Sequence, residues 1–258
     1  MVNYQMTSSM LTNKNRFLKT SISLFTILLL FLTWIIISIT KDNALIYPNI
    51  DQIFKRFLEL FQKENLSILF ASLSRLVITI GIAFLITFII ISLYVRVPLS
   101  YQFFSPLIKI MRSVPFLSVS IFIILVFGSK NSPYIIALLV VLPALIEGVK
   151  SGVDYIDDII KDDLKLLEIG FIQKLFYVYI PIVLPTIITS LLQVFGLGFK
   201  VMIMGEYFSQ TNMSIGKELF IAKSFIEMDS VIAWTIIIVL ITSIIEILIN
   251  VAKRKLIK

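Results

Sequence analysis

Six of the chain's sixteen acidic residues lie in one polar segment, residues 154–175, and paired carboxylates can perform general acid–base chemistry. The six are Asp154, Asp157, Asp158, Asp162, Asp163 and Glu168. Apolar residues recur between them at helical spacing, which predicts one or two short amphipathic helices. No second catalytic group lies near them in the sequence, so we disfavour catalysis. A solvated helix and a helix that docks a protein partner both stay open.

Lys200 is the only charged residue in the apolar run 175–204. A charge at the centre of a membrane helix costs about 2.5–3.5 kcal/mol on insertion scales, so its position needs a reason. Helical spacing places Gln193, Gly196, Lys200 and Met204 near one face of the predicted helix. Either this stripe lines a translocation path that favours an anion, or Lys200 extends to the membrane interface.

Composition excludes most enzyme chemistry. The chain contains no cysteine and no histidine, so disulfides, Cys/His zinc sites, thiol nucleophiles and histidine bases are excluded. No stretch matches the phosphate-binding pattern G-x-x-x-x-G-K-[ST], so we expect no P-loop for ATP. We therefore predict no catalytic residue, no metal site and no cofactor.

The elements that position these residues are long apolar runs. The chain is 58% hydrophobic and 15% charged, whereas soluble domains average about 25% charged residues. A helix needs about 20 apolar residues to cross a bilayer. Six runs meet that need and predict an all-α, polytopic transmembrane bundle in a single domain. The predicted spans are residues 18–40, 71–95, 103–129, 133–153, 176–204 and 230–251.

Two of the predicted connections have their own signals. The run Gly128–Pro133 carries glycine, serine, asparagine and proline, which predicts a turn between the third and fourth spans. The stretch Ile50–Phe61 has apolar positions near helical spacing, which predicts an amphipathic helix on the outer surface.

Charge placement predicts the orientation of the spans. An even number of spans puts both termini on one side, and both predicted termini are basic. Because Lys and Arg collect in cytoplasmic segments, we expect both termini and the segment 154–175 in the cytoplasm. The net charge of +7 is therefore interpreted as topology, not as nucleic-acid binding.

A proline pair and the residues after it resemble a known family. Pro181 and Pro185 are four residues apart, and Gly196, Lys200 and Glu206 follow Pro185 by eleven, fifteen and twenty-one residues. This spacing is similar to that of the permeases of binding-protein-dependent ABC importers, most closely the nitrate/sulfonate/taurine branch. The resemblance covers about residues 70–255. Further similar stretches are Ser72–Arg75 with Gly81, Ser113–Phe116 with Phe127–Gly128, and Ile215–Gly216 with Ala222.

The resemblance implies that the segment 154–175 is a coupling helix seated on a separate ATPase subunit. The residues assigned to that contact are Asp162, Asp163, Leu164, Leu167, Glu168 and Gly170. The family carries Glu-Ala-Ala, three residues and Gly before the proline pair, and two registers stay open. Asp162 takes the Glu position without a gap, whereas Leu164 takes it if the loop is two residues shorter.

The resemblance also implies a function. The chain would be a multi-pass permease subunit in the inner (cytoplasmic) membrane, without an ATPase site of its own. Its partners would be an ATP-binding subunit, an extracytoplasmic solute-binding protein and a second permease copy in a homodimer. The solute would be small, either an anion such as a sulfonate or nitrate, or a vitamin precursor. The path is assigned to Gln193, Gly196, Lys200, Met204 and Glu206.

Two alternatives from other classes stay open, a secondary transporter and a membrane-embedded enzyme or assembly factor. Secondary transporters often have broken spans in matching halves, whereas Pro181, Pro185 and Gly196 all lie in one predicted span. The small-xxx-small pattern Gly148–Gly152 could let two helices approach closely, for example between two copies.

Overall fold

The computed structural model describes residues 25, 26, 28, 29, 32–36, 40, 46–166 and 169–256. All regular structure in these residues is helical, because backbone polar groups inside a bilayer must bond within their own segment. The described residues of the predicted first span are helical too. Four helices in the described part are long and apolar enough to cross a membrane. They are Lys63–Arg96, Phe116–Asp154, Phe171–Ser209 and Met228–Leu248.

We number the helices from residue 46 onward in chain order. They are α1 (Ile50–Glu59), α2 (Lys63–Arg96), α3 (Ser100–Ser113), α4 (Phe116–Asp154), α5 (Asp158–Leu166), α6 (Phe171–Lys174), α7 (Ile180–Ser209), α8 (Ile215–Ser224) and α9 (Met228–Leu256). A π-helical turn, Leu175–Tyr179, joins α6 to α7. Helix α2 begins eight residues before the predicted second span, because a helix continues through polar residues such as Glu64 once its backbone bonds are made.

The predicted span 103–129 is not one continuous helix. Helix α3 ends at Ser113, Val114 is extended (φ −72°, ψ 130°), and α4 begins after Pro115. The ring of a proline disfavours the helical conformation of the residue before it, so Val114 leaves the helix. The apolar pattern of the sequence continues through this break, so the sequence alone does not reveal the break.

The predicted turn over Gly128–Pro133 is confined to one residue. Gly128 has φ 72° and ψ 168°, and the helical backbone resumes directly after it. The hydroxyl of Ser132 donates to the carbonyl of Ile123 at 3.4 Å. Nine residues of a straight helix would separate these positions by about 13.5 Å. Helix α4 therefore folds back on itself into a first limb, residues 116–127, and a second limb, residues 129–154.

The second limb of α4 packs closely against α7. A methyl group on Gly152 would lie 2.8 Å from Thr186, and one on Gly148 would overlap the hydroxyl of Ser190. The small residues thus let the two helices approach at short range. The small residues Gly148 and Gly152 therefore contact a helix of the same chain. The sequence pattern could not show whether the contacting helix belongs to the same chain or to a second copy.

Helix α1 is the amphipathic helix that the sequence predicts, and ion pairs hold it against the start of α9. The guanidinium of Arg56 lies 3.1 Å from Asp229 and 3.6 Å from Glu227. The hydrogen bond to Asp229 raises the pKa of Arg56, and the neighbouring Glu59 adds to this effect. These groups are partly exposed, so they orient α1 more than they stabilise the bundle.

The connections gather at two ends of the bundle. At one end, here called the Glu206 end, the hydroxyl of Thr211 after α7 donates to the carbonyl of Ser129 at 2.6 Å. At the other, called the α5 end, the hydroxyl of Tyr94 in α2 donates to Asp154 at 2.6 Å. The reversal at Gly128 thus lies at the Glu206 end, and α5 lies at the opposite end.

Replacing Gly128 by alanine should destabilise the fold. Its backbone lies in a region that is essentially restricted to glycine, and occupying it with another residue costs about 1–3 kcal/mol. Gly81→Ala is the matched control, because a Cβ at either glycine meets no atom within 4 Å and Gly81 is helical. Thermal unfolding of the two variants in detergent should show a lower midpoint for Gly128→Ala alone. Equal midpoints would contradict the backbone argument.

Candidate translocation path and partner-docking surface

The predicted polar stripe lies on an exposed face of α7. Gln193, Lys200 and Met204 are exposed and Gly196 is half-buried in the single chain. Among the described residues, no carboxylate lies within ion-pair distance of Lys200. The helix therefore presents one amide and one ammonium group, with no carboxylate partner in the described part of the chain, beside the exposed apolar side chains of Leu197 and Met204.

A groove of 880 Å³ runs beside the first part of this stripe. Gln193 and Leu197 form one wall, and the two limbs of α4 and the end of α3 form the others. Most of its lining is apolar. Arg112 of α3 and Glu147 of α4 lie in the lining as an ion pair, so one charged pair marks the boundary of the groove.

Glu206 has a different environment from the other four residues assigned to the path. Its side chain is 0% exposed, and the guanidinium of Arg75 lies 2.9 Å from its carboxylate. The hydroxyl of Ser72 donates to the carboxylate at 2.8 Å, and the backbone N–H of Gly216 does so at 3.3 Å. The side chain of Glu206 thus points into the interior of its own chain, away from Lys200.

Arg75 extends this network to the loop that follows α7. It donates to the carbonyl of Met213 at 3.1 Å and to that of Asn212 at 3.0 Å. Ser72 accepts a bond from the backbone N–H of Ile215 at 3.0 Å. Three elements, α2, α7 and α8, are therefore joined by one buried polar cluster.

Sequence reasoning missed this cluster because it assigned no partner to Arg75, although Arg75 lies inside the predicted span 71–95. Helix α2 begins at Lys63, so Arg75 lies well inside the helix and needs a partner. A signal was available in the sequence. Glu206 is the acidic residue at the end of a long apolar run, and a buried carboxylate requires a cation and hydrogen-bond donors.

The segment predicted to couple to a partner forms α5 and α6. Asp162 and Asp163 of α5 are exposed, whereas Leu164 is only 4% exposed and packs into the bundle. The ammonium of Lys174 donates to the carbonyl of Leu164 at 2.5 Å. Gly170 is exposed directly before α6. Leu167 and Glu168 lie outside the described residues.

Helix α5 carries a second apolar face that points away from the bundle. Leu166 is 82% exposed and Ile159 is 70% exposed. The apolar periodicity of the segment does not separate Ile159 from Leu164, whereas in the structure Ile159 is exposed and Leu164 is buried. A short helix that is apolar on both faces can pack on its own bundle and still offer a surface to another protein.

The part of the chain that the structure describes holds no group of three or more metal-ligating side chains. A family model, described as the binding-protein-dependent transport system inner membrane component, matches residues 86–258, more than half of the chain. No individual curated protein matches the chain.

Removing the cation of the buried pair should destabilise the protein strongly. Arg75→Met leaves the Glu206 carboxylate buried without its counter-ion, and breaking a buried pair in this way costs about 3–5 kcal/mol. Lys200→Met is the control, since Lys200 is exposed and has no carboxylate partner among the described residues. Thermal unfolding in detergent should show a large drop for Arg75→Met and a small change for the control. The double variant Arg75→Met/Glu206→Met should regain part of the loss, and no recovery would contradict the pairing.

Proposed function

The chain belongs to the family of inner membrane components of binding-protein-dependent transport systems, and from that premise we propose that it is the permease subunit of an ABC importer. A separate subunit hydrolyses ATP, and an extracytoplasmic solute-binding protein delivers the solute. The single observation that carries this proposal is the family match, which covers α4 to α9 and thus every residue assigned to the path and to coupling.

The topology that we propose has six spans with both termini in the cytoplasm. The reversal at Gly128 supports it, because it separates α4 into two limbs that run in opposite directions. Helix α3 and the first limb then make one broken crossing, and the second limb makes the next. The other four crossings are residues 18–40, α2, the helix over residues 171–209, and α9. Together with the two crossings of α3 and α4, they make six.

We place the translocation path between two copies of the chain. In a single copy, the Gln193–Met204 stripe and the 880 Å³ groove are open on one side. A second copy related by a two-fold axis would cover the same surface on both subunits. Gln193, Gly196, Lys200 and Met204 then line the path, while Glu206 supports it by fixing the position of α7.

The solute that we propose is a small anion of the sulfonate or nitrate type, as in the nitrate/sulfonate/taurine branch. Lys200 supports this choice, because an unpaired ammonium group beside a mostly apolar surface favours a negative charge. A vitamin precursor stays the second candidate, since the solute-binding protein selects the solute in this family.

Coupling to the ATPase is assigned to the outward face of α5. Leu164 on its inward side and Ile156 just before the helix are buried and fix it to the bundle, so force on the outward face would be transmitted to the spans as a rigid body. Leu166 and Ile159 replace Leu164 as the apolar contacts that we expect in the groove of the ATPase. Asp162 and Asp163 would lie at the polar rim of that contact.

Leu166→Asp should abolish ATP-dependent uptake while the chain still inserts in the membrane. A carboxylate at this exposed position leaves the fold intact but opposes burial in a partner's groove. Leu166→Met is the matched control and should transport normally, because it keeps an apolar side chain. Uptake and ATPase co-purification should be measured in proteoliposomes that contain the ATPase and the binding protein. Normal uptake by Leu166→Asp would contradict the assignment of this face to ATPase coupling.

Lys200→Met should lower the maximal uptake rate by about tenfold. This factor corresponds to about 1.4 kcal/mol, the free energy expected for the loss of one charge-assisted contact. Insertion and ATPase binding should be unchanged. Lys223→Met, which removes an exposed lysine from α8, is the control and should keep the full rate. Unchanged uptake by Lys200→Met would reduce Lys200 to an interfacial anchor and remove the argument for an anion.

A further inference from the structure

We propose that the α5 end binds an anionic phospholipid, whose phosphate occupies a cationic pocket between α2, α5 and α6 and whose acyl chain enters an adjoining apolar cleft. The inference concerns a ligand of the permease from the bilayer and not the transported solute. It requires only that these helices lie in a membrane, and it holds for either orientation of the chain.

The cationic pocket has a volume of 450 Å³ and is lined by Arg96, Lys161 and Lys174, among others. Arg96 lies 5.7 Å above the ring of Phe171 and has no carboxylate partner among the described residues. Its guanidinium fork is therefore available, and it matches the paired oxygens of a phosphate. Lys174 uses one of its three donors on the Leu164 carbonyl and keeps two.

The charge balance of this pocket favours an anion. Lys161 lies 3.0 Å from Asp158, and Lys150 lies 2.5 Å from Asp154. Each of these two carboxylates thus has its own lysine, and the Tyr94 hydroxyl donates to Asp154 as well. Arg96 and Lys174 remain without a carboxylate counter-ion among the described residues. A phosphodiester supplies one negative charge and acceptor oxygens at this position.

An apolar cleft continues from the pocket toward the centre of the bundle. Val95, Val153 and Tyr179 line both cavities, so the two are contiguous. The cleft is lined by α2, the end of α4, the π-helical turn and the start of α7. Phe88 of its lining contacts Phe176 of the π-helical turn, with ring centroids 6.3 Å apart. The cleft is narrow, with a volume of 40 Å³, so it admits part of one acyl chain. The remainder of the chain would lie along the exposed ring faces.

Two hydroxyl groups in this cleft have no hydrogen-bond partner among the described residues. The Thr87 side chain is 1% exposed, and neither its Oγ1 nor the Oγ of Ser92 forms a hydrogen bond within the described part of the chain. Helical serine and threonine commonly bond to a carbonyl in the preceding turn, and a hydroxyl left unbonded in an apolar setting is costly. Ser92 lies about 6 Å deeper than Arg96 along α2. With a phosphate at Arg96, the glycerol ester carbonyls reach this depth and can accept from Ser92.

The position of the pocket selects a lipid over a soluble phosphate ester. Arg96 closes the apolar run of α2, so it lies at the level where lipid phosphates meet the hydrocarbon core. Basic pockets between helices at this level bind acidic headgroups. A soluble ester would use the cations but leave the cleft empty and the hydroxyl of Ser92 without a partner. Since α5 and α6 form part of the pocket, a bound lipid would also fix the coupling segment to α2.

The test uses the delipidated full chain in detergent micelles, titrated with phosphatidylglycerol or phosphatidylcholine of identical acyl chains. Binding is measured by native mass spectrometry and by the shift of the thermal unfolding midpoint. We expect phosphatidylglycerol to bind more tightly and to raise the midpoint more. Arg96→Gln should weaken its binding by about tenfold, the value of one charge-assisted contact. Lys223→Gln, which removes an exposed lysine at the Glu206 end, should bind as the unaltered chain does.

A second variant separates the cleft from the pocket. Ser92→Leu removes a hydroxyl and adds bulk to the cleft, so it should weaken binding of both lipids while Arg96→Gln affects only the anionic one. Equal affinity for the two lipids, or affinity unchanged in both variants, would overturn the proposal. Glycerophosphoglycerol without acyl chains should not bind at the same concentration. If it binds as tightly as the lipid, the pocket is a site for a soluble phosphate ester, and the proposal fails. Transport is not measured, so the outcome is independent of the proposed function.

Discussion

The carboxylate of Glu206 has no contact with solvent, and a buried charge is tolerated only where the surrounding chain supplies a counter-ion and hydrogen bonds. Arg75 provides the charge, while Ser72 and the backbone of Gly216 provide donors. These groups come from α2, α7 and α8, so the requirement of one carboxylate determines how three elements meet. The stripe on α7 is exposed on the other side of the same helix, and its orientation follows from this anchor.

The opposite end of the bundle is held by weaker and less specific contacts. Leu164 packs into the bundle, and its carbonyl accepts one bond from Lys174. The two ion pairs at this end, Lys150–Asp154 and Lys161–Asp158, lie near the surface, where ion pairs contribute about 0–1 kcal/mol. The chain thus has one end fixed by a buried polar network and another whose ion pairs lie near the surface. Such an asymmetry suits a transporter whose spans move in response to force applied at one end.

Departures from regular α-helix lie beside the candidate sites. The π-helical turn Leu175–Tyr179 ends two residues before Pro181, whose ring would clash with the carbonyl of the preceding turn in a regular helix. The wider turn relieves that clash, and it forms a wall of the apolar cleft at the α5 end. Val114 and Gly128 interrupt the helices on either side of the first limb of α4, which borders the groove beside Gln193. π-Helical turns in particular are frequent at functional sites.

The all-helical class, the apolar segments and the spacing of the proline pair follow from the sequence, because hydrophobicity and helical periodicity are local properties. The shared face of Gln193, Lys200 and Met204 was predictable for the same reason. The partner of Glu206 was not, since Arg75 is more than a hundred residues away and only packing brings the two together. The inward direction of Leu164 also depended on tertiary structure. When a helix is apolar on both sides, its sequence pattern does not indicate which side packs against its own bundle. That choice depends on the neighbouring elements, which only the tertiary structure brings together.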